Sequence, residues 1–454
     1  MYDIIIIGGG PGGYIAAERA GARGQKVLLI EKEHLGGVCL NWGCVPTKTL
    51  LNSAKTYAHA LHGGMFGVHA EKVTFSLTEA MAWKNEVITK LRGGIAFLMK
   101  KFKVEVVSAT AEIVDKNTVK TSDGKTWQGK NIIIATGSTP AMPPIPGAKD
   151  NPHVVTSTGL LDIKTMPTSL VVIGGGVIGV EFASLFATLG VKVTVVEMME
   201  EIIPFMDKEH APQMRKALSN IDFQLGCKVE KLDGGTVHYT RASASADGAK
   251  SVKGDLVLMA VGRSLNTKNL GLEKLGVDVG PRGIVVDEFQ RTNIPGVFAI
   301  GDVTGKSLLA HSASRMGEVA VSAIVDPPES RQRMRYTAIP WVVYTNPEAA
   351  GVGMTEDEAK KAGKNVVCST VPLRNSGRFL AENGASAPGA VKVVTDGDTH
   401  RILGVQMYGA GVGEMIWGAA AMIETELRVN EAREIVFPHP TVGETIRDAL
   451  WEMH

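Results

Sequence analysis

Ile4 to Gly13 reads IIIIGGGPGG, and Val171 to Gly179 reads VVIGGGVIG. In each, a β-branched run with the composition of a strand buried on both faces opens into G-x-G-x-x-G. A helix-compatible stretch follows (Tyr14 to Ala22; Val180 to Leu189). A second strand then ends in glutamate: Lys26-Val27-Leu28-Leu29-Ile30-Glu31 and Lys192-Val193-Thr194-Val195-Val196-Glu197. The spacing from Gly8 to Glu31 equals that from Gly174 to Glu197.

A strand, glycine loop, helix and acid in this order suit a dinucleotide. The first glycine (Gly8, Gly174) makes the tight turn, and the second (Gly10, Gly176) lets a pyrophosphate approach the backbone. The third (Gly13, Gly179) lets the helix pack closely on the strand. The helix N-terminus offers unpaired N–H groups to phosphate, and the glutamate accepts hydrogen bonds from ribose hydroxyls. One such loop is weak evidence, because glycine-rich turns are common. Two copies, each with strand, helix and acid in place, predict an α/β chain with two Rossmann-like dinucleotide-binding domains.

Between the repeats, a helix is expected from about Leu77 to Lys103, and a strand over Asn131 to Ala135 entering Thr136-Gly137-Ser138. Pro140, Pro143, Pro144 and Pro146 then read as a linker. Asp255 to Ala260 reads as a strand entering Val261-Gly262-Arg263, and Val297 to Ile300 as one ending in Gly301-Asp302. From about Arg335 the pattern becomes alternating apolar strands and two helix-like stretches without a phosphate loop, as in an α+β domain. The expected division is 1–145, 146–265, 266–333 and 334–454.

At 454 residues the chain should hold two to four domains. Lys plus Arg number 48 and Asp plus Glu 47, leaving no excess charge for nucleic acid or an anionic membrane. No leader precedes the Ile4 strand and no apolar run is long enough to span a bilayer, so a cytoplasmic location is expected. The four cysteines (Cys39, Cys44, Cys227, Cys368) are too few for a secreted disulfide framework. A close pair among them suggests metal or redox chemistry.

That pair lies in Gly36 to Lys48, GGVCLNWGCVPTK. No second Cys/His cluster at ligand spacing accompanies it, which argues against zinc. Two merely packed cysteines are the bland alternative. Against it, the segment is glycine-rich and directly follows Glu31. Cys44 is expected near a helix start, with Pro46 in the first turn. A helix N-terminus stabilises a thiolate, and Lys48, one turn on, adds positive charge. Near the C-terminus Phe437 to Glu444 reads FPHPTVGE. A histidine between prolines has restricted backbone freedom. The residues alone divide evenly between a positioned acid–base and a turn histidine.

Over essentially its whole length the chain resembles the class I pyridine nucleotide–disulfide oxidoreductases. GGVCLNWGCVPTK matches their GGTCLNxGCIPSK motif, with small departures at Val38, Val45 and Thr47. The resemblance implies that FAD is held by Gly8, Gly10, Gly13 and Glu31, with Lys48, Ala111, Asp302 and Ala310 as further contacts. It implies that Gly174, Gly176, Gly179 and Glu197 hold the nicotinamide cofactor, with Val229 and Gly262. Glu181 would be the usual ion-pair partner of Lys48. Cys39 and Cys44 would form a redox-active disulfide, Cys39 meeting substrate and Cys44 the flavin. HPTxxE would make His439 a base oriented by Glu444, with Gly443 replacing a common serine. That histidine would reach the cysteine pair of a second subunit, so a homodimer with a C-terminal interface domain is implied.

Glu197, followed by Met198-Met199-Glu200-Glu201 without arginine, suits the free ribose 2′-OH of NAD and repels the 2′-phosphate of NADP. Gly179 also stands where NADP-preferring relatives often carry alanine. NAD disfavours the glutathione-reducing branch. The mercury-reducing and large thioredoxin-reducing branches carry redox residues near the C-terminus, whereas the last cysteine here is Cys368. Transhydrogenases lack the pair, and CoA-disulfide reductases have one cysteine. The expectation that remains is FAD-dependent oxidation of protein-bound dihydrolipoamide by NAD⁺. The expected partner is a lipoyl-bearing protein of a 2-oxoacid dehydrogenase complex or glycine-cleavage system. An NAD-linked reductase of another small disulfide and a non-catalytic flavoprotein subunit are the alternatives.

Overall fold

The isoleucine run forms the first strand, β1 (Tyr2–Ile7), of a computed structural model that describes residues 1–241 and 249–453. The chain divides into two units: Met1–Leu50, Thr78–Ala141 and Arg263–Arg335; and Leu51–Leu77, Met142–Gly262 and Tyr336–His454.

In the first unit, β1 leads through α1 (Pro11–Ala22) to β2 (Val27–Glu31). Then come α2 (Gly37–Trp42), α3 (Cys44–Leu61), which from Leu51 onward counts with the second unit, and α4 (Leu77–Lys101). The strands β3 (Glu105–Ser108), β4 (Ala111–Asp115), β5 (Thr118–Thr121) and β6 (Thr126–Ile134) follow. The sheet runs β3-β2-β1-β6-β5-β4, with Val297–Ala299 also paired to β6. β1 lies parallel to both β2 and β6, Ile4 opposite Val27 on one side and Asn131 on the other. Ile4, Ile5 and Ile6 are all fully buried, the burial that a non-alternating apolar run requires.

The second unit repeats the plan. Ile221–Gln224, Lys192–Val196, Ser169–Ile173, Leu256–Met259 and Val154–Thr156 form a parallel sheet in that order. Its glycine loop opens the helix Val177–Thr188. An antiparallel meander starts at Cys227–Asp233. The C-terminal part is a five-stranded antiparallel sheet, Trp341–Val343, Glu348–Gly353, Ile402–Gly409, Ala390–Asp396 and Val366–Pro372 in spatial order. Val352, Phe379, Val393, Met407, Ile416 and Leu450 belong to its core.

Three expectations need correction. Both loop helices start earlier than read, at Pro11 and Val177, because Gly10 and Gly176 are themselves the N-caps. The third glycine therefore lies inside the first turn. Part of the proline linker is a strand: Ser138–Pro140 pairs with Arg263–Leu265, with Pro140 at its last position. The C-terminal part has more helix than two stretches, including Glu356–Lys361 and Gly377–Asn383. These short helices are started by polar caps, Thr355 with a Glu358 capping box and Ser376. Apolar periodicity does not register them.

A lysine is buried inside the second unit. Lys392, on Ala390–Asp396, is 2% exposed, and its ammonium lies 2.6 Å from Glu356, 2.9 Å from Glu209 and 3.3 Å from Asp207. Burial alone would depress its pKa, but the bonds to Glu356 and Glu209 and the nearby Asp207 carry it above the ordinary value. These groups border a cavity of about 350 Å³. Glu209 can turn to water, whereas Asp207, 3% exposed, cannot. Lys392→Met should therefore cost about 3–5 kcal/mol, read as a lowered urea midpoint, because it strands a buried carboxylate. Hydrogen bonds from Lys360 and then Lys392 hold Glu356 down at about 2, from an ordinary 4.5. Its contribution is present above pH 4.5 and is lost as pH falls towards 2. In Lys392→Met the acid loss of stability over that window should be shallower.

Candidate active site

The first glycine loop is shaped by close approach. Gly8 has φ +109°, and a Cβ there would strike the Ala135 carbonyl; one on Gly13 would overlap the Gly8 carbonyl. A Cβ on Gly10 would make one ordinary contact, 3.8 Å from Gly37 Cα. Gly174, Gly179 and Gly176 repeat the three roles, with nothing within 4 Å of a Cβ on Gly176. Neither helix start has a side-chain cap. Both loops thus present uncapped N–H groups beside an open glycine, which fits a pyrophosphate. An alanine at 179 would require this loop to move. Glu31 accepts N–H bonds from Gly9 at 2.7 Å and Glu33 at 2.8 Å. Glu197 likewise accepts from Gly175 and, at 2.6 Å, from Met199. The acids brace their own loops, and a carboxylate retains lone pairs for further donors.

Cys39 lies in α2 and Cys44 begins α3, and the two form a disulfide with Cα atoms 4.6 Å apart. Gly36 and Gly37 both take positive φ, and a Cβ on Gly37 would come within 2.5 Å of Gly10 Cα. The Gly36 N–H also donates to the Gly9 carbonyl at 2.8 Å. The cysteine segment is therefore laid on the first phosphate loop with only backbone between them. Cys44 is exposed at its helix start, and Lys48 follows one turn along. Cys227 is buried, and burial pushes the Cys368 thiol up to about 11, so neither suits thiolate chemistry. Among the described residues, no three His, Cys, Asp or Glu side chains are grouped to hold a metal ion, and no helix is long and apolar enough to cross a membrane.

Asp302 sits in the turn Gly301–Thr304 and accepts from Ser138 Oγ at 2.5 Å. Ser138 in turn receives Arg263 Nε at 2.6 Å, and the guanidinium stands 3.7 Å from Asp302. Burial pulls the Arg263 pKa down, and Asp302 opposes this. Ser138 and Arg263 are absent from the sequence-derived site, since nothing in the spacing joins two strand-end residues so far apart to Asp302. Ala310 opens the helix Ala310–Val325, whose Ser314 hydroxyl approaches the Pro11 carbonyl of α1 at 3.4 Å. Ala111 starts β4, just beyond Ser108, which is paired with Glu31.

In the second unit, Glu181 is buried in its helix and accepts the Tyr344 N–H at 3.0 Å. Val229 is half-buried in the meander, and Gly262, with φ +122°, has open space where a side chain would be. His439 Nδ1 donates to both Glu444 oxygens, at 3.0 and 3.1 Å. Glu444 also accepts the Thr441 N–H at 3.0 Å and lies 3.4 Å from Arg447. The Thr441 N–H first, and then His439, hold this carboxyl below its ordinary range. Because an ionised carboxylate only accepts, the proton sits on Nδ1 and Nε2 is left as the ring's acceptor. The Glu444 side chain is 9% exposed and that of His439 79%, so a buried carboxylate aims an outward-facing imidazole.

Known proteins resemble this chain over its length. Residues 2–317 match the family described as pyridine nucleotide-disulphide oxidoreductase, and 339–450 its dimerisation domain. A Bacillus subtilis (strain 168) protein named dihydrolipoyl dehydrogenase is 39% identical, the match covering 98% of this chain and 95% of that one. One of the same name from Thermus scotoductus is 40% identical, covering 100% and 97%. Among solved structures, LpdA of Mycobacterium tuberculosis superposes with a TM-score of 0.90 at 26% identity, covering 99% of each chain. The Escherichia coli HOCl-induced flavoprotein disulfide reductase RclA, in its Cu(II) complex, gives 0.86 at 30%, also over 99% of each. With two glycine loops, a disulfide laid on one of them and full-length relatives, the chain belongs to the pyridine nucleotide-disulphide oxidoreductase family.

Proposed function

We infer that the chain oxidises protein-bound dihydrolipoamide to lipoamide and reduces NAD⁺ to NADH. The observation that carries the reading is the Cys39–Cys44 disulfide packed against a dinucleotide loop. The name shared by the full-length relatives supplies the substrate class. In this reading FAD is held by Gly8, Gly10, Gly13 and Glu31, with Lys48, Ala111, Asp302 and Ala310. NAD is held by Gly174, Gly176, Gly179 and Glu197, with Val229 and Gly262, and Glu181 acts beside the nicotinamide as a catalytic residue. When bound, the two cofactors supply the two-electron hydride chemistry that no side chain can.

The chain's residues perform the thiol exchange. His439 Nε2 takes a proton from one substrate thiol, and Glu444 stabilises the imidazolium. The substrate thiolate attacks Cys39 Sγ, the Cys39–Cys44 bond breaks, and Cys44 leaves as a thiolate. The second substrate thiol then attacks the mixed disulfide, releasing lipoamide while its proton passes to the departing Cys39 sulfur. Two electrons now reside on the cysteine pair.

His439 and Glu444 lie within the segment matching the dimerisation domain. The outward imidazole supports a homodimer in which this pair serves the cysteines of the second copy. The lipoyl group comes from a separate protein of a 2-oxoacid dehydrogenase complex or glycine-cleavage system. The decisive experiment is a steady-state assay with free dihydrolipoamide and NAD⁺; no turnover sinks the reading. The likeness to RclA favours one rival, reduction of another disulfide, which preference for a different member of a disulfide panel would establish.

Glu197→Ala tests the choice of nicotinamide cofactor. Loss of the carboxylate removes a ribose acceptor and the repulsion of a 2′-phosphate. NADH preference over NADPH should relax by about tenfold, equivalent to about 1.4 kcal/mol. Ratios of kcat/KM for the two cofactors give the answer, and an unchanged ratio removes Glu197 from that role.

A further inference from the structure

The helix carrying Cys39 is short. α2 spans only Gly37–Trp42, is entered through left-handed Gly36 and ends at Gly43. A helix of this length has little stability of its own. Asn41, two positions beyond Cys39 and 5% exposed, ties it down. Its Nδ2 donates to the Leu35 carbonyl at 3.1 Å and the Gly37 carbonyl at 2.9 Å. Its Oδ1 receives two arms of the Arg92 guanidinium, Nε at 3.1 Å and Nη2 at 2.6 Å. The amide thus uses both donors and both acceptor sites. Arg92 belongs to α4, a 25-residue helix, so the fork joins a six-residue helix to a long one.

We propose that Arg92 is a positioning residue for the redox disulfide, acting through Asn41 to hold Cys39 opposite Cys44 once their bond has opened. The proposal rests on the disulfide-exchange reading above. While the S–S bond is closed, it fixes Cys39 covalently. After reduction that tether is gone, and the Arg92–Asn41 clamp keeps the freed thiol at a high effective concentration beside Cys44. Its loss should make the disulfide easier to open and slower to reform. Arg is suited to the task because its planar fork makes two directed bonds, where lysine offers a point charge.

The test equilibrates holoenzyme with dithiothreitol, then alkylates free thiols and weighs the Cys39–Cys44 peptide. In this exchange the enzyme disulfide takes up two electrons and two protons, and dithiothreitol closes to its cyclic disulfide. Arg92→Ala should favour the open form about tenfold, a rise in potential of about 30 mV. Arg92→Lys should recover about half of that on a logarithmic scale. Asn41→Ala should shift the same way, with Arg92→Ala adding nothing in that background. An unchanged equilibrium in Arg92→Ala, or full additivity with Asn41→Ala, overturns the proposal. Should Arg92→Ala fail to retain flavin, Arg92→Lys carries the test, and a shift below about twofold overturns it. The exchange needs no lipoamide, so wild-type turnover of dihydrolipoamide separately decides the substrate reading.

Discussion

In a Cys44→Ser enzyme, dihydrolipoamide oxidation should fall on the order of 10⁴-fold or more, the scale on which loss of a covalent nucleophile is felt. Electron balance gives the reason. The substrate gives up two electrons only if a disulfide is there to accept them, and Cys39 without Cys44 has no bond to break. Serine keeps the size and the helix-start position of Cys44, so the backbone should be undisturbed. Flavin should stay bound, because the contacts of Gly37 and Gly36 with the glycine loop are made by backbone alone. Flavin content per chain and steady-state turnover are the two measurements. Retained activity with full flavin would remove the disulfide from the reaction.

His439→Gln should lower the same rate by about 10²–10⁴-fold, the contribution of a positioned general base. Glutamine can keep a hydrogen bond to Glu444, but it cannot accept a proton near neutral pH. Reduction of an artificial acceptor by NADH needs no substrate thiol and should change little. Equal losses in both assays would argue that the residue holds structure instead of a proton. Glu444 matters because its carboxylate fixes which nitrogen carries hydrogen. The Thr441 N–H and His439 together hold its pKa below that of an ordinary carboxyl. The orientation of the ring should therefore persist at pH values where an ordinary carboxyl begins to protonate.

The legible parts of the molecule were those whose physics is local. Ile4 to Ile7 do not alternate with polar residues, and both faces of that strand are buried. The glycine loops declare themselves because Gly8 and Gly174 take positive φ and Gly13 and Gly179 each pack on a carbonyl five residues back. Helix starts were misplaced by one turn because Gly10 and Gly176 serve as caps without a side chain. Short C-terminal helices escaped because a capping residue, not an apolar stripe, begins them. Polar clusters were invisible for a different reason. Ser138, Arg263 and Asp302 come from three separate strand ends, and Lys392 draws Glu356, Asp207 and Glu209 from two distant segments. A single sequence carries no signal that such residues will meet.

By itself, then, the sequence determined the two nucleotide loops, since their turns ask for glycine at fixed spacing, while the cysteine pair and the His439–Glu444 pair were legible through the resemblance to a known family. Only the tertiary structure decided that Gly37 crosses Gly10 at backbone contact and seats the disulfide on the first loop. It alone showed that a buried Glu444 directs an exposed His439, and that Arg92 reaches from α4 to grip Asn41. Each of these depends on where distant segments come to lie. Burial and packing of the whole sheet set those positions, and no local residue pattern encodes them.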